Sequence, residues 1–237
     1  MRDLGDPVAG AVVLVHGIGV SERYFRPLAR ELAVDRRVLV PDLPGFGQSP
    51  RPRRAPTVDE LAALLVSVLR RRRTGRATVV GHSMGAQVAA AMLRDAPDVV
   101  GGAILVGPVV DPGAASAAAQ AWRLLRDSLH EPARVNAVVG SDYLRAGPRW
   151  YSAMLPRMLA FDTRAAVSAA TGPVLVVRGQ HDRVASRAWC RMLAGTAPDG
   201  ELREVPGAGH VAMATAPRLV AGWARELVPA GVSDGDT

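Results

Sequence analysis

The chain has 237 residues, of which 49% are hydrophobic and one, Cys190, is a cysteine. This length fits one α/β domain, and a single cysteine excludes an internal disulfide and a structural metal site built from several thiolates. The formal charge is +7, and all 29 basic residues are arginine, which excludes a lysine Schiff base or a lysine general base.

Predicted strands and helices alternate along the chain. Most strand candidates are continuous apolar runs, which is typical of strands buried on both faces of a parallel sheet. Helical patterns separate them, and one opens with the capping-box pattern Thr57 to Glu60. We expect a doubly wound, mostly parallel α/β sheet of about six to eight strands with helices on both faces and active groups at the carboxyl ends of the strands. The predicted strands span residues 11–16, 37–41, 77–81, 102–106, 173–178 and 201–205.

The first two predicted strands each lead into a turn that contains glycine. Residues 13–17 (VLVHG) include His16, and residues 41–49 (PDLPGFGQS) include Asp42. Asp42 is interpreted as a turn residue, because an aspartate side chain in such a segment bonds its own backbone. His16 is interpreted as a scaffold of its turn rather than a proton carrier.

Ser83 lies at the apex of a predicted strand-to-helix turn. In residues 78–86 (TVVGHSMGA) an apolar strand stops at Ser83, and Gly81 and Gly85 lie two residues to either side. Because glycine has no Cβ, strand and helix can approach closely there and leave the serine side chain above the sheet. The pattern predicts a nucleophile, and the alternative is a serine that only caps a helix.

A serine nucleophile needs a general base and a group that orients the base. Asp182 lies on the loop after the predicted strand 173–178, and His210 lies on the loop after 201–205. Asp111, which follows the predicted strand 102–106, is the alternative acid. His210 is favoured as the base because the four other histidines lie in the motifs, beside the acid or in residues 111–171.

Residues 111–171 interrupt the alternation and are interpreted as a small helical cap. Gly140 is among the residues that separate its helical candidates. Trp150, Met154 and Met158 recur at helical spacing and are candidate substrate-binding residues, although packing of the cap against the sheet explains the same stripe. The helical candidates span residues 114–129, 132–139 and 148–160.

These motifs, over about residues 11–228, resemble those of the α/β-hydrolase family, in which the catalytic residues follow the chain order Ser83, Asp182, His210. The resemblance implies a Ser-His-Asp mechanism without metal or organic cofactor, usually hydrolysis of an ester or related acyl compound. It also implies a cap inserted after the sixth strand of the fold. The backbone N–H groups of Ile18 and Met84 are the expected oxyanion-hole donors.

Many relatives carry a β-hairpin before the first of these strands, whereas only about ten residues precede it here. One edge of the sheet is therefore expected to be shortened, and an uncovered edge can pair with another chain. We expect a monomer or a homodimer.

The sequence predicts a serine hydrolase that acts on a small, largely apolar substrate. A cofactor-free lyase, a perhydrolase or a carbon–carbon bond hydrolase with the same triad remain alternatives, as does a non-catalytic binding protein. Cys190 is interpreted as a buried, inert thiol on an amphipathic helix.

A small-molecule substrate is the expected partner, and neither nucleic acid nor a membrane is expected as one. The arginine clusters at 51–54 and 70–76 are interpreted as solvated surface rather than a nucleic-acid site. No apolar stretch reaches the roughly 18 residues of a membrane span, and residues 1–10 lack the apolar segment of a secretory signal, which predicts a cytoplasmic protein without a membrane partner. The expected domains are a core over 1–110 and 172–228, a cap over 111–171 and a flexible tail over 229–237.

Overall fold

The computed structural model describes residues 1–7, 9–111 and 133–227. Within these ranges the strands form a seven-stranded sheet of order β1-β3-β2-β4-β5-β6-β7. β1 runs antiparallel to β3, and each other neighbouring pair is parallel. The predicted doubly wound α/β fold is confirmed. The strands are β1 (Arg2–Leu4), β2 (Ala11–Val15), β3 (Arg37–Val40), β4 (Ala77–His82), β5 (Val100–Val106), β6 (Val174–Gly179) and β7 (Gly200–Val205).

Helices cover both faces of the sheet. Successive side chains of a strand point to opposite faces, so Val13 of β2 lies in one buried cluster while Val12 and Leu14 lie in the other. The helices are a 3-10 helix (Glu22–Phe25), α1 (Arg26–Leu32), α2 (Val58–Arg72), α3 (Met84–Asp95), α4 (Ala133–Ala146), α5 (Pro148–Leu159), α6 (Thr163–Ser168), α7 (Arg187–Thr196), α8 (Ala212–Thr215) and α9 (Pro217–Leu227).

All six predicted strands are present, with bounds that differ by at most two residues. The predicted capping box also forms at the start of α2, where Thr57 Oγ1 accepts from Glu60 N and Thr57 N donates to Glu60 Oε2. Both predictions rest on local sequence patterns, and the tertiary fold does not override the structure that these patterns favour.

The amino-terminal edge differs from the sequence prediction. The three residues of β1 pair with β3 in the register Arg2 to Val40 and Leu4 to Val38. A strand this short and this exposed shows no readable periodicity, so the sequence does not predict it. Because one short strand precedes β2 where many relatives carry a hairpin, β5 is the fifth strand of this sheet and corresponds to the sixth strand of the family fold. The helices α4 to α6 follow β5, which is consistent with the expected position of the cap.

The described part of the interval 111–171 is helical. The helical candidate 114–129 and the predicted tail 229–237 lie outside the described residues. α4 covers residues 133–139 of the candidate 132–139 and continues through Gly140, so the prediction of a break at Gly140 is wrong. A glycine costs a helix only about 1 kcal/mol, which the packing of buried residues such as Val135 and Ala146 on the same helix offsets.

The strand order brings several loops to one edge of the sheet. β4, β5, β6 and β7 are parallel neighbours, so the loops after His82, Val106, Gly179 and Val205 leave the sheet side by side. Ser83, Asp111, Asp182 and His210 belong to these loops. None of the helices in the described ranges is long and apolar enough to cross a membrane.

Candidate active site

Ser83 occupies a strained strand-to-helix turn between β4 and α3, here called the elbow. Its backbone has φ 56° and ψ −120°, a region that residues with a side chain rarely adopt. The Ser83 N–H donates to Val106 O at 2.9 Å, which anchors the turn to β5. A Cβ at Gly81 would overlap the Gly85 carbonyl, and a Cβ at Gly85 would overlap the Val15 carbonyl, so both glycines are required sterically.

Asp182 and His210 contact each other across the loops that follow β6 and β7. Asp182 Oδ2 lies 3.0 Å from His210 Nδ1. The other carboxylate oxygen, Oδ1, accepts from the backbone N–H groups of Val184 and Ala185 at 2.8 and 2.9 Å. Both side chains are buried, so one oxygen fixes the carboxylate to its turn and the other faces the imidazole.

Two carboxylates were candidates for this position. Asp111 is buried on the loop after β5. The Asp182 carboxylate lies at hydrogen-bonding distance from the His210 ring nitrogen Nδ1. The geometry therefore favours Asp182 as the partner of the imidazole.

The end of β5 leaves room for this pair. A Cβ at Gly107 would lie 2.8 Å from both Nδ1 and Cε1 of His210 and 3.1 Å from Asp182 Oδ2. A larger residue at this position would displace the imidazole. Gly107 adopts φ +53°, a conformation that glycine reaches at little cost.

The turn after β2 lies directly beside Ser83. A Cβ at Gly17 would be 3.0 Å from the Ser83 Cβ. His16 holds this turn, because its Nε2 accepts from Leu43 N at 2.8 Å, which leaves Nδ1–H to donate to Gly17 O at 2.7 Å. Burial lowers the pKa of His16, so the ring is neutral, as a scaffold residue requires.

Met84 directly follows Ser83, and Ile18 lines the same cavity as Ser83. Met84 is the first residue of α3, where helix N–H groups lack partners inside the helix. Within the described ranges, neither the Ile18 N–H nor the Met84 N–H donates a hydrogen bond to another residue. Both remain able to donate to a negatively charged oxygen beside Ser83.

A cavity of about 50 Å³ lies between the sheet edge and α4. Ser83, His210 and Ile18 line it from the sheet side, and Val139 and Tyr143 line it from α4. Most of its surface is apolar, so it suits an apolar group next to the serine hydroxyl.

The three candidate residues of α5 lie elsewhere. Trp150, Met154 and Met158 are 5%, 0% and 2% exposed and belong to a buried core cluster. The Trp150 ring packs against Phe46, and the guanidinium of Arg51 lies 5.2 Å from its centroid. None of the three lines the cavity next to Ser83, so their contacts are those of packing, and their substrate-binding role stays a prediction.

No group of three or more His, Cys, Asp or Glu side chains in residues 1–7, 9–111 and 133–227 is arranged to hold a metal ion. Cys190 is buried on α7, and burial raises the pKa of its thiol. A neutral buried thiol is a poor nucleophile and a poor metal ligand.

The sequence model of the alpha/beta hydrolase family matches residues 12–223, which include the turn after β2, the elbow at Ser83 and the loops of Asp182 and His210. The chain belongs to the alpha/beta hydrolase family. Three relatives that match more than 80% of the chain are named as hydrolases or as an esterase. The pimeloyl-[acyl-carrier protein] methyl ester esterase of Aromatoleum aromaticum is 27% identical over an alignment 232 residues long. The alignment covers 84% of this hydrolase-family chain and 90% of that esterase.

Solved structures of esterases and hydrolases superimpose on nearly the whole fold. A thermophilic esterase from Thermogutta terrifontis has a TM-score of 0.79 at 25% identity, over 96% of this chain and 93% of the esterase. The 2-hydroxy-6-oxo-6-phenylhexa-2,4-dienoate hydrolase of Rhodococcus sp. strain RHA1 has a TM-score of 0.77 at 25% identity, over 94% of this chain and 92% of the hydrolase.

Local identity is higher, 36% over 96 residues, with an uncharacterized protein of Mycobacterium tuberculosis, but this match covers 40% of the chain and 28% of that protein. The chain therefore spans little more than a quarter of that relative's length.

Sequence reasoning missed two buried residues at the site of this hydrolase-family protein. Arg178, at the end of β6, donates to the backbone carbonyls of Asp182 and Ala185 and forms an ion pair with Glu204 of β7, so it holds the turn of Asp182. An arginine at the end of the apolar run 174–177 was an available signal, because a buried charge needs partners. Tyr24, whose hydroxyl accepts from Gly17 N at 2.9 Å, gave no such signal.

Proposed function

We propose that this alpha/beta hydrolase is a serine hydrolase that cleaves an ester or related acyl bond of a small, largely apolar substrate. The proposal rests above all on the 3.0 Å contact between Asp182 Oδ2 and His210 Nδ1, beside a cavity that His210 shares with Ser83. An imidazole oriented by a carboxylate next to a serine in an elbow is the arrangement that makes a hydroxyl nucleophilic.

In the proposed first step, His210 takes the proton from Ser83 Oγ while Oγ bonds to the acyl carbon. The carbonyl electron pair moves onto oxygen, which accepts hydrogen bonds from the Ile18 and Met84 N–H groups. Losing one such donor typically costs about 3 to 4 kcal/mol of transition-state stabilisation. Asp182 stabilises the imidazolium that has formed.

The tetrahedral intermediate then collapses. The leaving alcohol takes the proton from His210, and the acyl group stays on Ser83 as an ester. Water attacks this acyl-enzyme with His210 as the base, the acid leaves, and the proton returns to Ser83 Oγ. These steps need only the enzyme's own groups, the substrate and one water molecule.

The helices α4, α5 and α6 are proposed to act as the cap. α4 contributes Val139 and Tyr143 to the cavity beside Ser83, which favours a small apolar acyl group. In this proposal Trp150, Met154 and Met158 influence the cavity indirectly, because they seat α5 on the core next to α4.

Carbon–carbon bond hydrolysis is the second candidate, because the Rhodococcus hydrolase is 25% identical over most of this chain. A β-diketone can be cleaved by the same groups, with a carbanion instead of an alkoxide as the leaving group. The candidates therefore differ in substrate rather than in machinery.

The test is a substrate panel with p-nitrophenyl esters of increasing acyl length and one β-diketone, each assayed with the wild type, Ser83→Ala and Ser168→Ala. Ser168 is an exposed serine on α6 and serves as the matched control. We expect the wild type and Ser168→Ala to hydrolyse the short esters equally well. We expect Ser83→Ala to lose turnover by a factor on the order of 10⁴ to 10⁶ with its fold retained. Wild-type turnover in Ser83→Ala would contradict the proposal.

A further inference from the structure

The histidine that precedes Ser83 has no role in the proposed steps. His82 is the last residue of β4 and is 4% exposed. Its Nδ1 lies 2.8 Å from the Tyr24 hydroxyl, and its Nε2 lies 3.0 Å from the backbone carbonyl oxygen of His210. The Tyr24 hydroxyl also accepts the Gly17 N–H at 2.9 Å. Four groups on separate segments thus form one continuous chain of hydrogen bonds.

The chemistry of the four groups fixes the position of each proton. A carbonyl oxygen only accepts, so His82 Nε2 carries the proton that faces His210 O. Burial and the nearby His210 hold the pKa of His82 well below its ordinary value, so the ring is neutral and Nδ1 has a lone pair. Tyr24 therefore donates its hydroxyl proton to His82 Nδ1 and accepts the Gly17 N–H. The chain runs in one direction, from Gly17 through Tyr24 and His82 to His210.

The two ends of this chain belong to the two parts of the proposed machinery. Gly17 immediately precedes Ile18, a proposed oxyanion donor, and lies beside Ser83. At the other end, the bonded carbonyl is that of His210, the proposed base. The rings are also in contact, with centroids 5.4 Å apart for Tyr24 and His82 and 4.6 Å apart for His82 and His210.

We infer that Tyr24 and His82 form a positioning bridge that sets the distance between the oxyanion turn and the imidazole of the base. The inference rests on the proposed serine hydrolase function. The rings of Tyr24 and His82 also line the cavity beside Ser83, so the inference concerns the hydrogen bonds that the Tyr24 hydroxyl and the His82 ring nitrogens make. The bridge acts through Gly17 and His210, because a shift of either end moves a group that must meet the same acyl carbon.

The same hydrogen bonds would be present if Tyr24 and His82 only stabilised the fold. The test therefore needs a measured quantity that does not change with the stability of the protein. Tyr24→Phe keeps the ring and removes the hydroxyl, which leaves Gly17 N–H and His82 Nδ1 without their partner. Thr78→Val is the matched control, because it removes a buried hydroxyl that donates to Leu227 O from the opposite end of the same strand, β4. Both variants lose stability, and all assays are run well below the lower melting temperature.

The first measurement is kcat and KM for a short p-nitrophenyl ester, together with the rate at which a fluorophosphonate labels Ser83. We expect Tyr24→Phe to lower kcat and the labelling rate by about 10- to 100-fold, since misplacement of reacting groups by about 1 Å costs rates of this size. KM is expected to change little, because Tyr24→Phe keeps the ring that lines the cavity and removes only the hydroxyl. Thr78→Val is expected to match the wild type in all three values.

The second measurement uses His82 and covers the case in which Tyr24→Phe does not fold. His82→Gln can still donate to His210 O, whereas the shorter His82→Asn cannot, so His82→Gln is expected to retain more activity. The double variant Tyr24→Phe with His82→Asn is expected to have about the same kcat as the less active of the two single variants, because both changes break the same chain of hydrogen bonds.

Wild-type kcat and labelling in Tyr24→Phe, equal activity of His82→Gln and His82→Asn, or additive losses in the double variant would each overturn the bridge. The proposed function fails separately, when the wild type itself is neither active nor labelled at Ser83. Normal labelling of Ser83 in the wild type combined with normal labelling in Tyr24→Phe rejects the bridge alone.

Discussion

The carboxyl edge of the sheet and the helices α4 and α5 hold their residues in different ways. At the sheet edge, directed hydrogen bonds fix each polar side chain, as in Asp182, whose two oxygens have three partners between them. In the helices, residues such as Trp150 and Met154 are fixed by burial in an apolar cluster. Directed bonds tolerate little displacement, whereas apolar packing can relax around a substitution. Substitutions at the edge should therefore affect rate, and those in the helices should affect stability.

The largest expected effect on the edge comes from the acid. Asp182→Asn retains the size of the side chain but removes the charge that stabilises the imidazolium and selects its tautomer. We expect kcat to fall by about 10⁴-fold, the size seen when an aspartate in this role is replaced by asparagine. Asp111→Asn, assayed for kcat beside it, is the matched control and should stay within a small factor of the wild type. Equal losses in the two variants would remove the distinction between the carboxylates.

Two glycines allow the effect of displacing the His210 imidazole to be measured apart from the effect of backbone strain. Gly107 and Gly75 have similar positive φ values of 53° and 62°, but a Cβ at Gly107 would meet the His210 ring, while a Cβ at Gly75 would meet nothing within 4 Å. Alanine at either site should destabilise the fold by about 1 to 2 kcal/mol. Only Gly107→Ala is expected to lower kcat as well, by about 100-fold. Chemical denaturation and steady-state kinetics on both variants measure this difference, and similar rates in the two would contradict it.

The helices should respond in the opposite manner. Met154→Ala empties space in a fully buried position and should cost about 2 to 5 kcal/mol of unfolding free energy, with a modest change in kcat of the folded enzyme. Leu144→Ala, at an 85% exposed position of α4, should change the unfolding free energy by less than about 0.5 kcal/mol. Urea unfolding of both variants checks the prediction. A loss of turnover in Met154→Ala as large as that in Asp182→Asn would mean that α5 takes part in the chemistry.

The smallest expected effect is a pH dependence of stability. Burial lowers the pKa values of His16 and His82 from the ordinary 6.5, so the unfolded chain binds protons at these rings that the folded protein does not bind. Stability should therefore be lost as the pH falls below about 6.5, by up to about 1.4 kcal/mol per pH unit for each histidine. Urea unfolding at several pH values should show this slope, and His82→Gln should show less of it. An identical slope in both proteins would contradict the assignment of His82.

The sequence predicts most of the sheet because most of its strands are continuous apolar runs, such as 174–177, which favour a buried strand whatever the rest of the chain does. The elbow at Ser83 is predictable for the same reason, since two glycines and a serine at fixed spacing suffice. β1 is missed because three residues carry no periodicity. Gly140 misleads because tertiary packing outweighs a weak local preference.

The contacts that position the site are harder to predict. Tyr24 and His82 are 58 residues apart in the chain, and their hydrogen bond depends on how the 3-10 helix Glu22–Phe25 and β4 pack. Val139 and Tyr143 line the cavity, although the stripe on the next helix, with Trp150, suggested otherwise. The strand order, and not the residue pattern, decides which side chains meet at a sheet edge.

Covalent labelling of the folded wild-type protein with a fluorophosphonate, followed by peptide mass spectrometry, tests the proposed nucleophile most directly. We expect one adduct, on Ser83, that is absent from Ser83→Ala and forms much more slowly in His210→Ala. An adduct on a different residue, or a folded protein that does not react at all, would contradict the assignment of Ser83 as the nucleophile.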